Sequence, residues 1–158
     1  MLGYDDDVRH AVTSLKNGGQ RALVSVLADG LAALVPDVDG LVVTWAPTGS
    51  RRRLARGYDQ AELLARAVAR RRRLPVAGLL RRLPGPAQAG RSASDRWGNP
   101  TYAARRGARG PVLLVDDVST TGATLSAAAS ALRRAGATEV HGLVVARAPA
   151  RAPGRRQV

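Results

Sequence analysis

Two adjacent carboxylates followed by hydroxyls and a glycine are the part of this chain best equipped for chemistry: Asp116, Asp117, Val118, Ser119, Thr120, Thr121, Gly122, Ala123 and Thr124. Hydroxyls and backbone N–H groups gathered where a helix begins suit a phosphate, because the helix dipole and the unsatisfied first-turn donors both favour an anion. The paired acids do not suit a bare phosphate, whose charge they repel. They suit vicinal sugar hydroxyls, which donate to carboxylates, or a bound Mg²⁺. A ribose 5-phosphate satisfies both halves at once. The plainer reading is that the acids end a strand and one hydroxyl caps a helix. Capping explains a single hydroxyl and leaves the other polar positions without a reason.

Two elements must hold these residues. Residues 112–115 (VLLV) are an apolar, partly β-branched run after Pro111 and read as a strand buried on both faces of a parallel sheet. Asp116 and Asp117 then fall at its carboxyl end, where open α/β sheets bind ligands. An Ala- and Leu-rich helix is expected from about residue 123 to 135, stopped by Gly136. Other phosphate sites fit less well. The chain has neither G-x-x-x-x-G-K-[ST] nor G-x-G-x-x-G. A two-component receiver domain carries its acidic pair near its start, whereas here too little chain follows for the rest of that fold.

The same reading places the rest of the chain. Residues 4–17 form an expected amphipathic helix, with Asp5, Asp6 and Asp7 at its N-terminus and Val8, Val12 and Leu15 at helical spacing, ended by Gly18 and Gly19. A second helix is expected at 21–34, stopped by Pro36. Residues 40–45 read as a strand, and the turn after it, Ala46 to Ser50, should face the same crevice as the acidic loop. Pro47, Thr48 and Gly49, with Arg51 and Arg52 behind them, are the candidate pyrophosphate contacts, since loop N–H groups and guanidiniums together clamp such an anion. A helix is expected at 61–72, with Arg70 to Arg73 read as solvated cations at its C-terminus. A weakly defined strand is expected at 76–80 and a last strand at 139–146, where His141 reads as structural. Between them, 81–109 is poor in aliphatics and rich in Pro, Gly, Ser and Arg. A loop of that length is a lid, a binding loop or a disordered linker. The lid is assigned to 84–109, with Arg91, Arg96, Asn99 and Tyr102 as its candidate contacts, and the tail 149–158 is expected to be disordered.

Composition bounds the function. A chain of 158 residues with 45% hydrophobic content supports one domain with a real core. No run of eighteen apolar residues and no secretory leader is present, so a cytoplasmic protein without a membrane partner is expected. The formal charge of +13 invites an anionic partner. It comes from 24 Arg and a single Lys, Lys16, in a chain crowded with Ala and Gly, which resembles GC-rich codon bias. Aromatics are 3% with no Phe, which disfavours base-stacking platforms. No cysteine is present, and His10 and His141 alone cannot build a metal centre.

VLLVDDVSTTGAT closely resembles the phosphoribosyl pyrophosphate (PRPP) motif of type I phosphoribosyltransferases. The likeness extends to the ComF family of competence-associated proteins through Tyr4 and Lys16, the block APTGSRRRLARGYDQAELLARA from Ala46, and Gln88-Ala89-Gly90 with Arg96, Asn99 and Tyr102. The family's Pro-x-Pro stands here as Trp45-Ala46-Pro47, and its Arg-Gly-Phe-Asn as Arg56-Gly57-Tyr58-Asp59. Without cysteines the chain lacks the N-terminal zinc module of many members, and reads as a short or truncated form. The resemblance implies an α/β, type I phosphoribosyltransferase-like fold: a mostly parallel sheet flanked by helices, an N-terminal hood over 1–39, a core over 40–148 and a tail at 149–158. It implies that Asp116 and Asp117 hold the ribose hydroxyls and help place Mg²⁺, and that Thr120 to Thr124 cradle the 5-phosphate. The implied reaction displaces pyrophosphate from PRPP by a nitrogenous acceptor. The alternative is a module on the same fold that senses PRPP or a nucleotide, or binds single-stranded DNA, without turnover. A competence helicase and a second copy of the chain are further partners on this reading.

Overall fold

The computed structural model describes residues 20–49, 57–84, 100–119 and 121–147. The expected helix at 4–17, Lys16, Arg51, Arg52, Arg91, Arg96, Asn99, Thr120 and the tail lie outside the described residues. In chain order the elements are α1 (Gln20–Ala33), β1 (Val42–Trp45), α2 (Gln60–Arg72), β2 (Leu80–Arg82), β3 (Tyr102–Ala104), β4 (Gly110–Ser119), α3 (Ala123–Arg134) and β5 (Ala137–Arg147).

The apolar runs of β1, β4 and β5 pair in parallel in the order β1-β4-β5, with Val42 opposite Val112 and Val115 opposite Leu143. On the far side of β1, Val76 forms a lone parallel bridge to Val43, secured by hydrogen bonds from Val43 N–H to Pro75 O (2.8 Å) and from Ala77 N–H to Val43 O (2.9 Å). Because side chains alternate along a strand, β4 feeds two cores. Leu113 and Val115 pack with Val43, Leu143 and Val145 against Leu31 of α1 and Leu64 and Val68 of α2. Val112 and Leu114 pack on the other face with Ala128, Ala131 and Leu132 of α3 and with Leu79, Leu80 and Tyr102. Fully burying a leucine such as Leu64, Leu114 or Leu132 contributes roughly 1.5–3 kcal/mol, so these positions hold the layers together. The fold is α/β, a parallel sheet flanked by helices on both faces.

Four expectations are corrected. β4 does not stop at Val115 but continues to Ser119, because β5 extends to Arg147 and supplies ladder partners: Asp116 faces Val144, Val118 faces Ala146 and Ser119 faces Arg147. Val118 packs against the first core and Ser119 is buried, so both belong to the strand rather than to a loop. The expected strand at 76–80 is reduced to the Val76 bridge, and the chain pairs instead as β2 with β3, antiparallel, with Leu80 opposite Ala104 and Arg82 opposite Tyr102. The region expected to be a lid is therefore rooted in a two-stranded ribbon. Tyr102, assigned to that lid, is a core residue only 3% exposed. Arg71 is also not a solvated cation. Its guanidinium bonds Asp29, the Ser25 carbonyl (2.8 Å) and the Ser25 hydroxyl (2.7 Å), and so pins α2 to α1.

Candidate functional site

The topology defines one crevice. From β1 the chain passes through α2 on one face and returns at Val76, on the side of β1 away from β4. From β4 it passes through α3 on the opposite face and returns as β5, on the side of β4 away from β1. The two windings diverge between β1 and β4, which is the switch point where open α/β sheets bind ligands at the carboxyl ends of their strands. The loop after β1 and the acidic end of β4 are neighbours there, tied by Ala46 N–H donating to Val115 O at 3.0 Å.

The acidic pair fixes its own backbone. Asp116 Oδ1 accepts the Asp117 N–H (2.9 Å), and Asp117 Oδ1 accepts the Val118 N–H (2.8 Å). Asp116 is 7% exposed, whereas Asp117 is only half-buried. Burial, with the adjacent Asp117 charge next in weight, pushes the Asp116 carboxyl up to about 8. Asp116 therefore retains a proton in a range where an exposed carboxyl would not, and can exchange it near neutral pH.

Beyond the acids, Gly122 turns the chain into α3 with φ +76°, and its carbonyl accepts the Ser126 N–H at 2.8 Å. Thr121 Oγ1 lies 3.4 Å from the Ala123 N–H, a long bond at the helix entrance. A Cβ on Gly122 would meet nothing within 4 Å. The space before the turn is open, and the glycine is required by its dihedral rather than by crowding. Gly122→Val should consequently lower the melting temperature through backbone strain of roughly 1–3 kcal/mol, before any ligand is added. A thermal melt identical to that of the unaltered protein would contradict the left-handed turn.

On the opposing wall, the Pro47–Thr48 peptide is held at both ends. Thr48 N–H donates to Asp59 Oδ2 at 2.9 Å, and the Tyr102 hydroxyl lies 3.5 Å from Pro47 O. Burial pushes the Tyr102 hydroxyl up to about 12, so it stays protonated and able to donate. Thr48 N–H is thus engaged within the protein and does not face an incoming anion as expected. Asp59 and Gln60 are the residues that the sequence reading missed. Asp59 precedes a helix and reads locally as a cap, yet it makes no cap bond and reaches back to the loop after β1. Only the pairing of β1 with β4, and the return of α2 across the sheet, bring it there.

The donor set fits Mg²⁺ in one way only. Mg²⁺ is commonly held by one or two carboxylates together with waters and substrate phosphates. Asp116 and Asp117 supply such a pair, and no cluster of three or more potential ligands exists among the described residues. A metal here would depend on oxygens of the ligand itself.

The chain is of the open α/β class that binds ligands at the switch point of its sheet, where the carboxylate pair and the glycine turn stand. Within it, residues 59–157 match the phosphoribosyl transferase domain model, well over half of the chain, and the chain belongs to that family. Solved structures similar to it include the allosteric regulatory enzyme of purine biosynthesis, at 21% identity and a TM-score of 0.49 over 77% of this chain and 25% of that one. They also include orotate phosphoribosyltransferase from Aeropyrum pernix, at 21% identity and a TM-score of 0.47 over 82% of this chain and 73% of that one. Purine phosphoribosyltransferase from Pyrococcus horikoshii Ot3 is 16% identical, with a TM-score of 0.45 over 99% and 97% of the two chains. The chain spans a quarter of the length of the first of these. A search of curated protein sequences finds no match. The α/β fold, a parallel sheet flanked by helices, is that of the phosphoribosyl transferase domain. Among the described residues no helix is long and apolar enough to cross a membrane.

Proposed function

We propose that this protein binds PRPP at the β1–β4 switch point and transfers its phosphoribosyl group to a nitrogenous acceptor, as a cytoplasmic relative of the ComF proteins linked to competence. The observation that carries this reading is the Asp116–Asp117 pair at the end of β4, followed by the Gly122 turn into α3, within the matched family region. The ribose hydroxyls lie against the two acids, and the 5-phosphate against the turn from Thr120 to Thr124. Pyrophosphate lies over the loop of Pro47, Thr48 and Gly49, with Arg51 and Arg52 next in the chain. Asp116 and Asp117 would hold Mg²⁺ together with oxygens of the ligand, and the ion would supply charge neutralisation for the leaving group. Asp116 in its ionised form is the group to take a proton from the acceptor nitrogen, because burial raises its carboxyl to about 8 and so makes its anion a stronger base than an exposed carboxylate. The protein pairs as a homodimer.

Calorimetric titration of the full chain with PRPP and Mg²⁺, with ribose 5-phosphate as the comparison ligand, tests the proposal. PRPP is expected to bind more tightly than ribose 5-phosphate, and pyrophosphate release on screening nucleobases then identifies a transferase. A folded sample that binds neither ligand overturns the reading. A competence role through single-stranded DNA would then be tested by strand preference at fixed salt.

A further inference from the structure

The Asp59 side chain spends its hydrogen bonding in an unusual way. It stands at the residue before α2 with extended dihedrals (φ −105°, ψ 118°), where an aspartate ordinarily caps its own helix, and it makes no such bond. Instead one carboxylate oxygen crosses to the Thr48 N–H, eleven residues earlier in the chain. The residue is 4% exposed, and its other oxygen, Oδ1, is buried without a hydrogen-bond partner among the described residues. Gln60, 3% exposed, likewise has both amide atoms buried and without partners among the described residues. A buried carboxylate held by a single backbone N–H is a poor way to stabilise a fold, because desolvation costs more than one such bond returns. A local cap would have served α2 better. The retained geometry therefore answers to the loop, and the loop is one wall of the crevice.

The consequence is geometric. With Thr48 N–H drawn to Asp59 and Pro47 O facing the Tyr102 hydroxyl, the peptide plane between Pro47 and Thr48 is set from both ends. The next N–H along belongs to Gly49, where an added Cβ would meet nothing within 4 Å, so the backbone is uncrowded on that side. We infer that Asp59 is a positioning residue that presets the loop after β1, so that the Gly49 backbone receives the pyrophosphate half of the ligand. This rests on the PRPP reading above. Asp59 acts through the Pro47–Thr48 peptide and touches no reacting atom. Its effect falls on the part of the ligand over this loop and not on the ribose 5-phosphate half, which lies against β4 and α3.

That division is measurable. In the full chain with Mg²⁺, Asp59→Ala is expected to raise the PRPP dissociation constant roughly tenfold or more, the scale of one lost charge-assisted hydrogen bond, while ribose 5-phosphate affinity stays within about threefold. Asp59→Asn keeps an oxygen for the Thr48 N–H and is expected to restore most of the PRPP affinity. Amide exchange at Thr48 should quicken in Asp59→Ala and remain slow in Asp59→Asn. A merely structural residue would weaken both ligands alike, and that outcome overturns the inference. Unchanged PRPP affinity in the alanine variant, or an asparagine variant as weak as alanine, overturns it as well. If the unaltered protein binds neither ligand, the PRPP reading itself fails and the role of Asp59 in it falls. If the unaltered protein binds both, the ratio between variants judges Asp59 alone.

Discussion

Asp116→Asn combined with Asp117→Asn is expected to abolish measurable PRPP binding while leaving the fold in place. Titrated above about pH 8, where Asp116 has given up its proton, each carboxylate accepting a sugar hydroxyl forms a charge-assisted hydrogen bond worth roughly 1.5–3 kcal/mol, so losing both reduces affinity by about a hundredfold or more. Asparagine is nearly isosteric, but its NH₂ group opposes a hydroxyl with a donor where the carboxylate offered an acceptor. It also removes the charge that would hold Mg²⁺ beside the diphosphate. The fold should survive because the present Oδ1 contacts, to the N–H groups of Asp117 and Val118, can be kept by an asparagine oxygen. The β4 ladder with β5 does not use these side chains. Calorimetry gives the affinity, and far-ultraviolet circular dichroism verifies the fold. Unchanged affinity in a folded double variant would remove the acids from the ligand site and leave the glycine turn as a helix entrance and nothing more.

How far the sequence could be read follows from how each feature is encoded. Helices α2 and α3 and the apolar centres of β1, β4 and β5 follow from periodicity and run length, both of which are local. Extension of β4 through Asp116 and Asp117 to Ser119 is not local. Those residues look like the end of a strand, and only the matching length of β5 keeps the ladder going. The β2–β3 ribbon was hidden for the same reason: two strands of three residues each carry almost no pattern, and their pairing joins distant parts of the chain. Tyr102 then looked like a polar contact in a loop, although its ring lies in the second core and only its hydroxyl approaches Pro47. Arg71 was lost among its arginine neighbours, since nothing local says which of them faces Asp29 and Ser25. Near the candidate site, the Gly122 turn into α3 is legible because glycine and hydroxyls run directly into an apolar helical segment. The opposing wall was legible only in part, because Pro47 and Thr48 are governed by Asp59 and Tyr102 from elsewhere in the chain.

Protein stability is expected to fall as the pH rises from about 4 to about 8, with Asp116 as the group responsible. Its carboxyl is raised from 3.8 to about 8, first by burial and then by the Asp117 charge. Over that interval the folded chain holds a proton that the unfolded chain has already released, so unfolding releases one. Raising the pH then favours the unfolded state, by at most about 1.4 kcal/mol per pH unit for this single group. Below the lower value both states are protonated, and the contribution from Asp116 is flat. Above the upper value both are ionised, and the full cost of burying the charge is present. Asp116→Asn cannot ionise and has the same shape. Its melting temperature relative to the unaltered protein should therefore climb steadily between pH 5 and pH 8, even though the same substitution harms ligand binding. Asp117→Asn should shift this window downward without closing it, since the neighbouring charge is the lesser of the two main causes and burial remains. Parallel melting curves for Asp116→Asn and the unaltered protein across that range would show that Asp116 is ionised throughout. In that event it would be no stronger a base than an exposed carboxylate, and a poor candidate for taking a proton from an acceptor nitrogen.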